Sequence, residues 1–252
     1  MVKIPKISGR ELQRLKRDGK FLGEGITAKA YLVTMKKGRQ AVLKVCQDQE
    51  FDQSFEMEID ILQRLNGVAG APLLLGVCRK PMALAMEYCE GSTMLDLVNS
   101  YDISNKTLLE VALQVVREVH KLHQKGFAHN DMKTDNCIID MTTTPATVRL
   151  IDFGTCTALG QSPGYSCDPE GMHLAPELCR LGSATTAAEV FSLGCLLEDL
   201  VTGREGEWFP TILHQLVDCA RRQDPEWRPS MTIVEEVLEQ AVSEMAAETN
   251  PR

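Results

Sequence analysis

The hydrophobic pattern of this chain changes period once, after Gly91, and that change limits the folds open to it. Ahead of it the apolar residues fall in short runs. Lys29–Met35 and Gln40–Cys46 are joined by Lys36-Lys37-Gly38-Arg39, which reads as a hairpin, and Leu73–Val77 and Met82–Glu87 read as further strands. One helix interrupts them: Phe55, Ile59 and Leu62 recur at helical spacing between Phe51 and Asn66, and Gly67 follows as a stop. Beyond Gly91, Leu108, Ala112, Val115, Val119 and Leu122 mark a long amphipathic helix. Short strands are expected at Cys137–Asp140 and Val148–Ile151. Helices are expected over Thr185–Val201, over Thr211–Arg222 and after Pro229, the last with Val234, Val237, Leu238 and Ala241 inward. A strand-rich front of about ninety residues before a helical back predicts an α+β chain with two lobes. Ligands commonly bind between such lobes.

The chain has 252 residues, 44% of them hydrophobic, enough for a sizeable core without disulfide staples. Its nine cysteines are scattered singly with no C-x-x-C pair, which argues against a zinc site or a thioredoxin-like motif. An odd count with no secretory signal predicts a reducing compartment, cytoplasmic or nuclear, and not secretion. The longest apolar stretch, near Val190 to Val201, is interrupted by Glu198 and Asp199, so no membrane span is expected. A net charge of −8 argues against nucleic acid as the main partner. The first twenty residues are locally basic (Lys3, Lys6, Arg10, Arg14, Lys16, Arg17, Lys20), which reads as the solvated face of a short helix. Ser8 and Glu11 have capping-box spacing, Leu12 and Leu15 supply the inner face, and Gly19 is a stop.

Four segments carry chemistry. Gly23-Glu24-Gly25-Ile26-Thr27-Ala28-Lys29-Ala30 lies between two expected strands, and glycines there let backbone N–H groups approach phosphates, although by itself the segment reads equally as a plain hairpin. The strand that follows excludes the dinucleotide-binding version of such a loop, and no Gly-Lys-Ser/Thr marks a P-loop. Lys44 sits inside the apolar strand Ala41–Val45, so its ammonium needs a partner. Glu58 shares a helix face with Phe55 and Leu62 and offers one; an ordinary solvated glutamate is the other reading. In His129-Asn130-Asp131-Met132-Lys133-Thr134-Asp135-Asn136, a polar loop closes onto a strand, with an Asp five residues before an Asn. Asp131 can orient or accept a hydroxyl proton, Asn136 can give an oxygen to magnesium, and Lys133 can neutralise charge on a transferred phosphoryl group. Asp152-Phe153-Gly154 follows a strand sixteen residues after Asn136 and would supply a second magnesium ligand in Asp152; a plain turn is the other reading.

In order and spacing these segments resemble the eukaryotic protein kinase family. Ala175-Pro176-Glu177, Glu189-Val190-Phe191-Ser192-Leu193-Gly194 and Asp224-Pro225-Glu226-Trp227-Arg228-Pro229-Ser230 extend the likeness to the C-terminal helix. The resemblance implies a bilobal fold, with residues 1–18 as a basic extension and 19–250 as the catalytic domain. Within it the small lobe covers 19–88, the hinge 87–91 and the large lobe 92–250. It implies ATP and magnesium as cofactors and a protein substrate. Lys44, fixed by Glu58, would hold the α- and β-phosphates. Gly23, Glu24, Gly25, Ala28, Ala30, Val42 and Ile138 would line the nucleotide, and Met86 would be the gatekeeper. The backbone of Glu87 and Cys89 would hydrogen-bond adenine. Asn136 and Asp152 would hold the metal, and Glu177 would pair with Arg228. Lys133, two residues after Asp131, resembles the Ser/Thr branch. A pseudokinase scaffold and a tyrosine or small-molecule kinase are the alternatives.

The sequence departs from the family at identifiable places. Ala28 replaces the third glycine of the loop, and Ala30 and Val42 exchange a small and a large side chain at the adenine pocket. Asn130 replaces the Arg that receives an activation-loop phosphate. Glu170 and His173 stand where Thr and Tyr are usual, and Glu189 replaces an Asp that braces the catalytic loop. Arg204–Pro210 is too short for the usual substrate-docking helix.

Overall fold

Ser8 opens the first helix, α1 (Gly9–Asp18), by accepting the Glu11 N–H on its hydroxyl. The computed structural model describes residues 4–168 and 173–248, and it divides into two units, Met1–Cys89 and Glu90–Arg252. In the first unit α1 is followed by β1 (Lys20–Glu24), β2 (Ala28–Thr34), β3 (Gln40–Cys46), α2 (Asp52–Leu65), β4 (Leu74–Arg79) and β5 (Met82–Glu87). The strands form one antiparallel sheet in the order β1-β2-β3-β5-β4.

Strand alternation splits this sheet into two faces. Val33, Ala41, Leu43, Val45, Ala83 and Ala85 form a buried cluster with Ile7, Leu12 and Leu15. The basic N-terminal segment is therefore packed into the first unit, and its charged side chains Arg10, Arg14, Lys16 and Arg17 stay exposed as expected. Gly19 is fixed by close approach: a Cβ there would meet Leu15 O at 2.8 Å and Val33 Cγ1 at 2.9 Å. On the opposite face the register aligns Leu32, Val42 and Met86 in one row and Ala30, Lys44 and Leu84 in the next. Helix α2 buries Phe55, Glu58, Ile59 and Leu62 and ends one residue earlier than the expected stop: Asn66 takes the left-handed cap (φ 46°) ahead of Gly67.

The second unit runs β6 (Ser92–Thr93), α3 (Met94–Val98), α4 (Asn105–Gln124), β7 (Phe127–Ala128), β8 (Cys137–Asp140), β9 (Thr147–Leu150), β10 (Thr157–Ala158), α5 (Pro176–Cys179), α6 (Thr186–Thr202), α7 (Thr211–Ala220) and α8 (Met231–Glu248). Helix α6 is apolar on nearly every side, from Ala188 to Leu200, and is buried accordingly. Helix α4 turns the expected stripe of Leu108, Ala112, Val115, Val119 and Leu122 inward. In α8, Val234, Leu238 and Ala241 are buried and Val237 is only half-buried. Gly91 has φ 128°, and a Cβ there would meet Ile139 O at 2.2 Å, so only glycine lets β6 lie against β8.

Arg228 forks onto both carboxylate oxygens of Glu177 at 2.6 and 2.9 Å and also donates to the carbonyls of Ala187, Arg222 and Gln223. The pairing expected of these residues is thus a fully satisfied buried guanidinium. Residues 203–210 carry no helix, in line with the short segment read from sequence. In their place Arg204 is buried and donates to the carbonyls of Leu97 and Ser100. Among the described residues no helix is long and apolar enough to cross a membrane.

Candidate active site

Lys44 in the first unit meets the partner its burial demands. Its Nζ lies 3.0 Å from both Glu58 carboxylate oxygens, with the Glu58 side chain 2% exposed. Lys44 lies between Ala30 and Leu84 in one row of that face. Ala30, Leu32 and Val42 on this face are only half-buried, unlike the residues behind them. Gly23 and Gly25 lie in or beside β1, and a Cβ at either would meet nothing within 4 Å. Their lack of a side chain therefore serves no contact within the chain, which fits a loop kept open for a ligand. Met86 is buried on the same face as Val42. The Glu87 N–H is bonded to Leu73 O at 2.9 Å, and the Glu87 carbonyl accepts the Cys89 thiol at 4.0 Å.

The second unit gathers the other candidates around Asp131. Asn136 donates its amide to Asp131 Oδ2 at 2.8 Å and to the Asp131 carbonyl at 2.7 Å, so both N–H groups are used within the loop and its oxygen is the acceptor that remains. Lys133 Nζ approaches Asp131 Oδ2 at 3.2 Å. The Asn136 carbonyl accepts the Ile151 N–H at 2.9 Å, and the His129 ring Nε2 meets the Ile151 carbonyl at 3.0 Å. Both polar groups of Ile151 are thereby fixed, and Asp152 follows it directly in the chain. Asp152 is exposed and left-handed at φ 64°, a conformation that persists when its surroundings impose it. The Phe153 ring packs on His129 at 4.9 Å. Ile138 lies half-buried on β8 just beyond the loop.

Asp131 has one neighbour whose role the sequence did not disclose. His173 places Nε2 2.6 Å from Asp131 Oδ1. Burial raises the Asp131 carboxyl, but the His173 hydrogen bond and the Lys133 ammonium outweigh it and bring the pKa down to about 2. The group is a carboxylate at neutral pH, so His173 Nε2 is the donor. The only sequence sign was that a histidine stands two residues before Ala175-Pro176-Glu177.

The two unusual residues of the loop's support are both accommodated. Glu189 on α6 accepts the Asn130 N–H at 2.9 Å on one oxygen. Its other oxygen accepts the His129 N–H at 2.6 Å and meets His123 Nε2 at 3.2 Å. Burial pushes this carboxyl up, yet the His123 hydrogen bond and the other donors hold it below the ordinary carboxylate range. The extra methylene relative to Asp is absorbed without losing the brace. Asn130 directs its amide to the carbonyls of Ala128 and Thr155 and to the Thr157 hydroxyl, and its own carbonyl accepts from Tyr165. A neutral side chain ties the loop to the following segment where a charged one would await a phosphate. Glu170 lies outside the described residues.

The family model described as "Protein kinase domain" matches residues 17–246. Cell division control protein 7 of Schizosaccharomyces pombe is 26% identical over 196 residues, covering 73% of this chain and 18% of that protein. Serine/threonine-protein kinase nekl-2 of Caenorhabditis elegans is 25% identical over 184 residues, covering 66% and 50%. Serine/threonine-protein kinase PrkC of Bacillus subtilis is 29% identical over 155 residues, covering 59% and 24%. The aligned stretches make up half or less of the length of these relatives.

Proposed function

Because the chain belongs to the protein kinase domain family, we propose that it transfers the γ-phosphoryl group of ATP, with magnesium, to Ser or Thr hydroxyls of protein substrates. The observation that carries this is the cluster of Asp131, Lys133 and Asn136, with Asp152 following Ile151, whose N–H bonds to the Asn136 carbonyl. The donor set fits a hard cation: Asn136 offers a neutral oxygen and Asp152 a carboxylate. Magnesium held there would neutralise charge on the nucleotide phosphates. Lys44, fixed by Glu58, binds the α- and β-phosphates, and the open loop at Gly23 and Gly25 covers them. Ala30, Val42 and Met86 frame adenine, with the Glu87 carbonyl and the Cys89 backbone as its hydrogen-bond partners. Asp131 orients the acceptor hydroxyl and takes its proton as Lys133 steadies the transferred group. Positioning and electrostatics supply most of the catalysis.

Lys133, and the Ser/Thr naming of two of the relatives, support the acceptor class. Incubation with labelled ATP, magnesium and a generic protein substrate, followed by phosphoamino-acid analysis, tests it. Phosphoserine and phosphothreonine are expected. Phosphotyrosine alone would reject the Ser/Thr assignment, and no transfer at all would favour a scaffold that does not catalyse.

Asn130 leads to an expectation about control. Its amide already bonds to Thr155 and Thr157, so the segment needs no phosphate to reach the loop. Phosphatase-treated protein should retain its rate, and loss of activity on that treatment would contradict this. The pocket gives another. Ala30 and Val42 lie diagonally on one face, so their sizes compensate. Val42→Ala alone should enlarge the pocket and sensitise the enzyme to bulky adenine-site inhibitors by about tenfold, roughly the contribution of the methylenes removed. An unchanged inhibition curve would count against compensation.

A further inference from the structure

Two cysteines of the activation segment stand opposite each other across a short antiparallel contact. Ser166 and Arg180 form an antiparallel bridge, and in that register the next pair is Cys167 with Cys179. The Cys167 N–H donates to the Cys179 carbonyl at 3.1 Å, and the Leu181 N–H donates to the Tyr165 carbonyl at 3.0 Å on the other side of the bridge. Residues directly opposed in this way have Cα atoms about 4.5–5.5 Å apart, inside the 4.4–6.8 Å window of a disulfide. Their thiols lie close enough for each to affect the other's ionisation. Exposure is asymmetric: among the described residues Cys167 is the one exposed cysteine, and Cys179 is 2% exposed.

We propose that Cys167 and Cys179 are a peroxide-responsive dithiol that closes to an intramolecular disulfide across the activation segment. Cys167, open to solvent, is the attacking thiol and Cys179 the resolving one. The Cys167 thiolate attacks the O–O bond of hydrogen peroxide, giving a sulfenic acid and one water after protonation. The Cys179 sulfur then attacks the sulfenyl sulfur. The S–S bond forms, the S–O bond breaks, and the departing hydroxide leaves with the Cys179 proton as a second water. Two thiols lose two electrons and one peroxide gains them. Burial pushes the Cys179 thiol up to about 11, in keeping with a group that keeps its proton until this step. The closed ring contains His173, whose imidazole touches Asp131, so oxidation restrains the stretch that reaches the catalytic loop. The inference does not depend on the proposed activity.

The test uses the full chain, reduced, desalted and exposed to hydrogen peroxide, then alkylated and digested with a glutamate-specific protease. Cleavage after Glu170 separates the two cysteines in sequence. The expected product is a pair of peptides containing Cys167 and Cys179, joined and lighter by two hydrogens, released by dithiothreitol, with the other seven cysteines alkylated. Cys167→Ser, a change at an exposed position, should melt like the original chain and lose the linked pair. Cys167 found as a sulfinic acid with Cys179 alkylated would overturn the proposal. So would Cys167 joined to a second copy of the chain, or a linked pair at Cys179 that persists in Cys167→Ser.

Discussion

Asp131→Asn should fold and bind ATP but transfer phosphoryl groups about 100- to 10,000-fold more slowly, the range that a positioned base contributes. The carboxylate receives three side chains: His173 on Oδ1, and Asn136 and Lys133 on Oδ2. It is held as an anion by these neighbours despite its burial. Asparagine keeps the volume and removes the charge. It also sets either an amide nitrogen or a weaker acceptor against His173, so the hydroxyl of a substrate loses both its orienting group and the acceptor of its proton. Initial rates with labelled ATP, compared at saturating nucleotide, measure the effect. A rate equal to that of the original chain would remove Asp131 from the chemistry.

Glu189→Ala should cost about 3–5 kcal/mol of stability, the usual consequence of deleting one partner of a buried charged network. Glu189 is 2% exposed, and its loss strands the N–H groups of His129 and Asn130 and the ring of His123. These are the residues that begin the catalytic loop, so the rate should fall along with the denaturation midpoint. Glu189→Asp restores the charge but falls one methylene short of donors that now lie at 2.6 and 2.9 Å, and should recover only part of the loss. A midpoint unchanged in the alanine variant, by urea titration, would mean that the loop is braced elsewhere.

Much of this fold was legible because each period of the hydrophobic pattern met its own turn chemistry. The hairpin between β2 and β3, the α2 face that carries Glu58, and the α4 stripe all lie where spacing placed them. The Lys44–Glu58 pair was legible for an energetic reason: an ammonium inside an apolar strand demands a counter-charge, and Glu58 was the acid on an inward helix face. What stayed hidden depends on long-range placement. Packing of the N-terminal segment as part of the first unit rests on Ile7, Leu12 and Leu15 meeting strands far along the chain, which a basic composition conceals. Short elements such as α3 and α5 carry too few residues to show a period. The contact of His173 with Asp131 joins residues forty-two positions apart, and nothing local to either signals it. Asn130 read as the loss of a phosphate receptor, and the structure shows what replaces it: an amide that already bonds to Thr155 and Thr157.

Calorimetric titration of ATP with magnesium into the original chain and into Asp152→Asn measures whether Asp152 holds the metal that the nucleotide needs. The original chain should show saturable binding that weakens when the metal is chelated, and the variant weaker binding with no response to chelation. Equal affinity in both proteins, or no heat of binding in either, would contradict it.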